Sequence, residues 1–220
     1  MHKVAASILT CNNAYLGEGV LAAQKGGADQ LHIDIIEGRY ANNFSFGPRT
    51  VSDLKEIMDI PLEVHFELYD PQDYIDVFVQ AGADMITIQL DGCACPIQAL
   101  NKIKRHGLKA GMALKPNERV EDLEYLARHL DYMIMMSVEP GFGGQEFEEA
   151  VYGKINRAKE LFATLGYEIP IYVDGGVNEK TAPKLLESGA DVLITGSSVF
   201  ASNCMTGKEI EDKVRYFKNL

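Results

Sequence analysis

What this sequence lacks narrows its class before any motif is read. Basic residues are scarce: 21 Lys and Arg stand against 32 Asp and Glu, a formal net charge of −11. Such a surface repels nucleic acid and anionic membrane, so neither is an expected partner. No apolar run approaches the ~20 residues that cross a bilayer. Met1-His2-Lys3 passes straight into a short apolar stretch, Val4 to Leu9, too brief for a secretory core and cleavage site. A cytoplasmic protein is therefore expected. The four cysteines, Cys11, Cys93, Cys95 and Cys204, show neither disulfide-framework nor zinc-knuckle spacing, and they read as reduced thiols. No G-x-G-x-x-G follows the first apolar run, which counts against an open dinucleotide-binding sheet. Linkers and low-complexity stretches are missing too, so one domain over 1–220 is expected. An acidic chain can still hold phosphate through local backbone amides.

What is present is a repeat. Gly27-Ala28-Asp29, Gly82-Ala83-Asp84 and Gly189-Ala190-Asp191 each precede an apolar run, with the alanines 55 and 107 residues apart. The spacings are close to two and four units of about 27 residues, the size of one strand plus one helix. In each, glycine suits a left-handed helix C-cap before the chain enters a buried strand. Strand-like runs fall at about 4–9, 30–36, 62–68, 85–90, 108–114, 132–138, 169–173 and 192–195. Helical stretches fall between and after them, near 15–26, 49–58, 72–81, 96–106, 120–130, 147–165, 179–188 and 206–219. Several runs lack polar alternation, as strands covered on both faces should. Eight alternations in 220 residues fit an α/β TIM-type (β/α)8 barrel, whose active sites lie at the C-terminal strand ends.

Chemistry-bearing residues collect at those ends. His32 and Asp34 lie two apart on one run and so share a face. His65 and Asp174 end two others. A histidine on an apolar strand is more often a satisfied core residue than a ligand, and an Asp before two glycines is more often a turn residue. Together, however, two imidazoles and two carboxylates form a ligand set for a divalent metal. Buried Asp34 needs a partner in any case. Gly141-Phe142-Gly143-Gly144, Gly175-Gly176 and Gly196-Ser197 follow three consecutive strands, and such loops can present amides to a phosphate. Ser7, on the first strand, reads either as a hydroxyl for the substrate or as a small core residue. Lys115 reads as a solvated loop charge or a Schiff-base nucleophile, the former being favoured.

These residues together resemble the ribulose-phosphate 3-epimerase family. The markers are Ser7-Ile8-Leu9, His32-Ile33-Asp34, Val64-His65, Met136 through Gln145, Val173 through Asn178, and Gly196-Ser197, with Asn43 and Phe46-Gly47-Pro48 in the loop after the second strand. The resemblance spans the chain. It implies a TIM barrel with one divalent metal, zinc first and Mn, Fe or Co as alternatives, held by His32, Asp34, His65 and Asp174. Asp34 and Asp174 would also be the proton-transfer pair. Phosphate would lie on Gly143, Gly144, Gly176, Gly196 and Ser197, with Ser7 and His65 near the sugar. A phosphorylated ketose is the implied substrate and a homo-oligomer the implied state.

The departures cluster where a sugar would lie. Ile36 stands where the family usually has methionine, and so does Glu67; Gln89 replaces a histidine and Lys115 an asparagine. Of three methionines expected around the metal, Met136 remains. Glu67 would pair with Lys115 or Arg39, contact a different sugar hydroxyl, or alter the metal environment. The leading expectation is epimerisation at C3 of ribulose 5-phosphate or xylulose 5-phosphate. Alternatives are a hexulose phosphate such as allulose 6-phosphate, a phosphosugar lyase or aldolase, and a non-catalytic sugar-phosphate-binding barrel.

Overall fold

Eight parallel strands close into one barrel in the computed structural model, which describes residues 2–200 and 206–220. The strands are β1 (Lys3–Ser7), β2 (Gln30–Ile36), β3 (Leu62–Glu67), β4 (Met85–Gln89), β5 (Lys109–Leu114), β6 (Tyr132–Met136), β7 (Ile171–Asp174) and β8 (Val192–Thr195). Their spatial order follows the chain, and β1 closes against β8. Around them lie α1 (Leu16–Gly26), α2 (Pro48–Ile57), α3 (Ile75–Gln80), α4 (Pro96–Arg105), α5 (Ala150–Leu165), α6 (Ala182–Glu187), α7 (Ser197–Phe200) and α8 (Gly207–Lys218). The expected TIM-type (β/α)8 barrel is the observed fold. Cys204 lies outside the described residues.

The Gly-Ala-Asp repeat works as its chemistry suggests. Gly27, Gly82 and Gly189 have φ of 100°, 97° and 99°, the left-handed turn that ends a helix before the next strand. The aspartates do something the spacing alone did not reveal. Asp29, Asp84 and Asp191 each accept a backbone N–H from the first or second residue of a neighbouring strand: Val4 at 2.7 Å, Leu62 at 2.8 Å and Ile171 at 2.7 Å. Asp131, outside the repeat, does the same for Ala110 at 2.9 Å. Each also meets a lysine: Lys218, Lys55, Lys159 and Lys104. The bottom of the barrel is thereby closed by side chains that satisfy strand amides with no ladder partner.

Alternation along the strands separates two cores. Outward residues such as Leu31, Ile33, Val64, Phe66, Met112 and Leu193 pack under the helices. Inside the barrel, Ala5, Met85, Ala113, Tyr132, Ile134, Met136, Tyr172, Val192 and Ile194 form a second apolar cluster. Most inward positions of β2, β3 and β4 are polar instead: His32, Asp34, Glu63, His65, Glu67, Thr87 and Gln89 are all buried.

Two expected elements differ. The stretch 120–130, expected as a helix, is a pair of 3-10 turns, Val120–Leu123 and Ala127–His129. Its buried residues Val120, Leu123, Leu126, Ala127 and Leu130 recur mainly every third position, the period of the tighter helix. The first strand stops at Ser7 rather than Leu9, because Ile8–Thr10 form a 3-10 turn over the barrel rim.

Candidate active site

The residues singled out in the sequence meet at the C-terminal end of the barrel. Pairing of β2 with β3 sets Asp34 beside His65 and Ile36 beside Glu67. Pairing of β6 with β7 sets Met136 beside Asp174. His32 Nε2 lies 2.9 Å from Asp34 Oδ1 and 3.7 Å from Asp174 Oδ2. His65 Nδ1 lies 3.3 Å from both Asp34 Oδ1 and His32 Nε2, and 4.0 Å from Asp174 Oδ2. One donor atom from each of the four lies within 4.8 Å of every other. Four ligands about 2.1 Å from one centre stand roughly 3–3.5 Å apart, so this donor set fits a divalent cation with small adjustments.

Both imidazoles are held from behind. His32 Nδ1 is hydrogen-bonded to Glu63, which turns Nε2 toward the cluster. Glu63 Oε1 also accepts from Thr87 Oγ1 at 2.6 Å and from the Tyr132 hydroxyl at 3.2 Å. His65 Nε2 lies 3.0 Å from the side-chain amide of Gln89. Ser7 Oγ donates to Asp34 Oδ2 at 3.0 Å, leaving Oδ1 for the imidazoles.

The electrostatics follow from burying many carboxyls together. Burial pushes Asp34 up, but the His32 and His65 rings beside it outweigh that and hold its carboxyl below the usual range. Burial lowers His32, but Asp34 and Glu63 overcome it and raise the ring well above its ordinary value. Asp174 is pushed up to about 6, by burial first; His32 opposes and the Asp34 charge adds. Glu67 is raised well above its ordinary value by burial and by the charges of Asp34 and Asp174.

A cleft opens above the cluster. Its floor includes Asp34, Asp174, Glu67 and Met136, and Ser7 and Ile194 stand beside them. Its far wall is the three loops expected from the sequence: Gly141, Phe142, Gly143 and Gly144 after β6, Gly175 and Gly176 after β7, and Gly196 and Ser197 after β8. Consecutive left-handed glycines, Gly175 (φ 96°) and Gly176 (φ 56°), turn the chain sharply away from Asp174. A Cβ on Gly175 would stand 2.4 Å from Val138, and one on Gly176 2.9 Å from Phe147. Asn43 donates to the Gly141 carbonyl at 2.7 Å and ties the loop after β2 to the loop after β6. Gln145 folds that second loop by donating to the carbonyls of Glu139 and Phe142.

Some of the residues singled out in the sequence lie away from the cleft. His65, expected at the substrate as well as the metal, is fully buried and lines no part of the cleft. Ile36, Gln89 and Lys115 also lie outside the cleft lining. Glu67 pairs with neither expected cation. Lys115 is taken by Asp91, which also accepts from the Tyr40 hydroxyl; Arg39 stacks over Tyr69 at 5.6 Å. Sequence reasoning missed Glu63, Thr87 and Tyr132. The signal was available for Glu63, since Glu63, His65 and Glu67 alternate on one strand face as His32 and Asp34 do.

The barrel alone resembles many proteins. Superposition on a mutant tryptophan synthase α-subunit from Pyrococcus furiosus gives a TM-score of 0.74 at 16% identity, covering all of both chains. Thiamine phosphate pyrophosphorylase from the same organism gives 0.65 at 18%, over 98% of this chain and 96% of that one. At these identities the likeness is one of fold. Sequence relatives are more specific. The ribulose-phosphate 3-epimerase of Bacillus subtilis is 39% identical over 204 residues, 92% of this chain and 94% of the relative. The chloroplastic ribulose-5-phosphate-3-epimerase of Arabidopsis thaliana is 38% identical over 90% of this chain and 72% of its own. That of Methanocaldococcus jannaschii is 34% identical over 92% and 86%. The family model described as "Ribulose-phosphate 3 epimerase family" matches residues 3–200. With that match running from β1 through α7, the chain belongs to the ribulose-phosphate 3-epimerase family of isomerases.

Proposed function

We propose that this chain is a metal-dependent ketose-phosphate 3-epimerase, interconverting ribulose 5-phosphate and xylulose 5-phosphate by proton transfer through Asp34 and Asp174. The observation that carries the reading is the convergence of two imidazole nitrogens and two carboxylate oxygens beneath a cleft walled by three glycine loops. His32, Asp34, His65 and Asp174 would hold the cation. Mixed nitrogen and oxygen donors favour zinc and also suit Mn, Fe(II) or Co. When bound, a divalent cation supplies Lewis-acid stabilisation for the negative charge that builds on a ketose as its C3 proton leaves.

The rest belongs to the chain's own residues. Ser7 holds Asp34 Oδ2 by a hydrogen bond, which fixes the carboxylate plane and leaves that oxygen at the cleft side of the cluster. Asp34 and Asp174 approach from β2 and β7. One accepts the C3 proton and the other returns a proton to the opposite face. Two acids on opposite faces invert the centre, where one acid would tend to restore it. Backbone amides of Gly143, Gly144, Gly176, Gly196 and Ser197 hold the phosphate, and Gly141, Phe142 and Gly175 shape the loops that carry it.

Glu63 and Gln89 position the two rings. Glu63 accepts the Nδ1 proton of His32 and keeps the Nε2 lone pair toward the cluster. For His65 the free lone pair must be on Nδ1, so Nε2 carries the proton and needs an acceptor. Gln89 Oε1 is buried without a partner. Turning the Gln89 amide by half a rotation presents that oxygen to the ring N–H and removes the orphan.

The test is turnover of ribulose 5-phosphate with metal content measured on the same sample. Stoichiometric metal and C3 inversion support the reading; metal-loaded protein without turnover of any phosphorylated ketose refutes it. A hexulose phosphate such as allulose 6-phosphate is the second reading, favoured by one observation: a buried carboxylate, Glu67, on the cleft floor. A panel of phosphorylated ketoses separates the two. A homo-oligomer in the cytoplasm belongs to the same reading, and light scattering of purified protein checks the oligomer.

A further inference from the structure

Glu67 is a buried carboxylate with no role in the scheme above. It is 2% exposed, it lines the cleft, and its Oε2 has no hydrogen-bond partner. An orphaned buried acceptor is costly unless something supplies a donor. Neither nearby cation does, because Lys115 is bound to Asp91 and Arg39 lies over Tyr69. The Gly141 backbone amide reaches the carboxyl, so for Oε2 a bound molecule in the cleft is the remaining source of a donor.

The barrel fixes which end of that molecule Glu67 meets. In a ring of eight strands in chain order, β3 stands four places from β7, directly across the mouth. The glycine loops that would take phosphate follow β6, β7 and β8; Glu67 lies across the mouth from those after β7 and β8, while Gly141, at the start of the loop after β6, reaches its carboxyl. Asp34 and Asp174, the proposed proton-transfer pair, lie between. A ketose phosphate has the same linear order: phosphate at its last carbon, reacting C3 and C2 in the middle, and a C1 hydroxyl at the far end. With phosphate on the loops and C3 between the aspartates, C1 points to β3.

We infer that Glu67 is a specificity residue that accepts a hydrogen bond from the C1 hydroxyl of the substrate, so that this enzyme selects ketose phosphates hydroxylated at C1. The inference rests on the 3-epimerase reading for the orientation of the sugar. A methionine at this place would offer only a weak thioether acceptor and would read C1 poorly.

The experiment compares xylulose 5-phosphate with its 1-deoxy analogue on metal-loaded wild type, Glu67→Met and Glu67→Gln. Both kcat/KM and, by calorimetry, Kd are measured. Leaving the buried Glu67 carboxyl unpaired should make wild type prefer the hydroxylated sugar by about 10- to 100-fold. Glu67→Met should discriminate by no more than about threefold, and Glu67→Gln, which keeps an acceptor in the same shape, should fall between. A wild-type ratio near one, or an unchanged ratio in Glu67→Met, overturns the inference. If wild type turns over neither sugar, the pentulose reading fails, while the Kd ratios still decide the role of Glu67: a preference lost in Glu67→Met supports it, and an unchanged ratio overturns it. If wild type binds neither sugar, both readings fall.

Discussion

Replacing Glu63 by glutamine should weaken metal binding while leaving the barrel folded. Glu63 lies beneath the cluster and touches no part of the cleft. It receives the Nδ1 proton of His32 and the hydroxyls of Thr87 and Tyr132. Glutamine keeps the volume and one carbonyl acceptor but removes the charge. The Nδ1–H of His32 then faces a neutral partner, the ring is a poorer donor, and its orientation is less firmly held. Loss of such a partner typically costs 10–100-fold in metal affinity, about 1.4–2.7 kcal/mol. The fold should survive, because the variant removes a buried charge rather than creating one.

The assay is competition of apoprotein against a chelator of known affinity, with melting of the metal-free protein as the control for folding. A weaker metal Kd with a metal-free melting temperature near wild type supports the argument. Thr87→Val provides the contrast. It deletes one donor to Glu63 but leaves the charge on His32, so metal affinity should change by less than about threefold. Wild-type affinity in Glu63→Gln, or equal losses in the two variants, would refute the claim that Glu63 acts through His32.

Asp174→Asn should reduce turnover at least about 10³-fold, since one of two proton-transfer groups is gone. Asp34→Asn should do the same and also release metal; steady-state kinetics with metal analysis separates the effects, and full activity in either variant rules out the two-acid scheme. Gly176→Ala places a side chain at φ 56° and 2.9 Å from the Phe147 Cβ. It should cost about 1–2 kcal/mol of stability and raise KM and the inhibition constant of inorganic phosphate more than it lowers kcat. Asp84→Ala deprives the Leu62 amide of its acceptor at the bottom of the barrel. Denaturant unfolding should show a loss of about 1–2 kcal/mol, with kcat/KM unchanged.

The barrel was legible because each strand–helix unit carries its own punctuation. Glycine at the helix end, an aspartate, then an apolar run repeats often enough to set a period. What the period could not convey was the job of the aspartate. Its carboxylate reaches the first amide of a strand 20 or more residues away in sequence, as Asp84 reaches Leu62 and Asp191 reaches Ile171. Nor could the amphipathic stretch at 120–130 announce a 3-10 path, since the third-residue spacing that favours it differs from helical spacing by a fraction of a residue per turn. The four clustered donors were legible because His-x-Asp on one strand declares a shared face. Glu63 was legible only in part: its alternation with His65 puts both on one strand face, but a glutamate ordinarily belongs to solvent and only the closed barrel turns that face inward.

The same closure explains why the chemistry sits on one side of the barrel. Inward residues of β5, β6 and β8 are small or apolar, including Ala113, Ile134, Val192 and Ile194. Those of β2 and β3 bring Asp34, Glu63 and Glu67 inside, and β7 adds Asp174 from across the mouth. Among the described residues, no lysine or arginine is buried with them; two imidazoles are the only side chains there able to carry positive charge. Four carboxyls and two imidazoles cannot all be satisfied by one another. Glu63 finds three donors and Asp34 finds Ser7 and the rings. Asp174 is left with contacts of 3.7 Å and 4.0 Å, and Glu67 Oε2 with none. The acceptors left short of partners, Asp174 and Glu67, both border the cleft. Their unmet demand is what a cation at the floor and a hydroxylated ligand above it would answer, so specificity and catalysis draw on one deficit of hydrogen-bond donors.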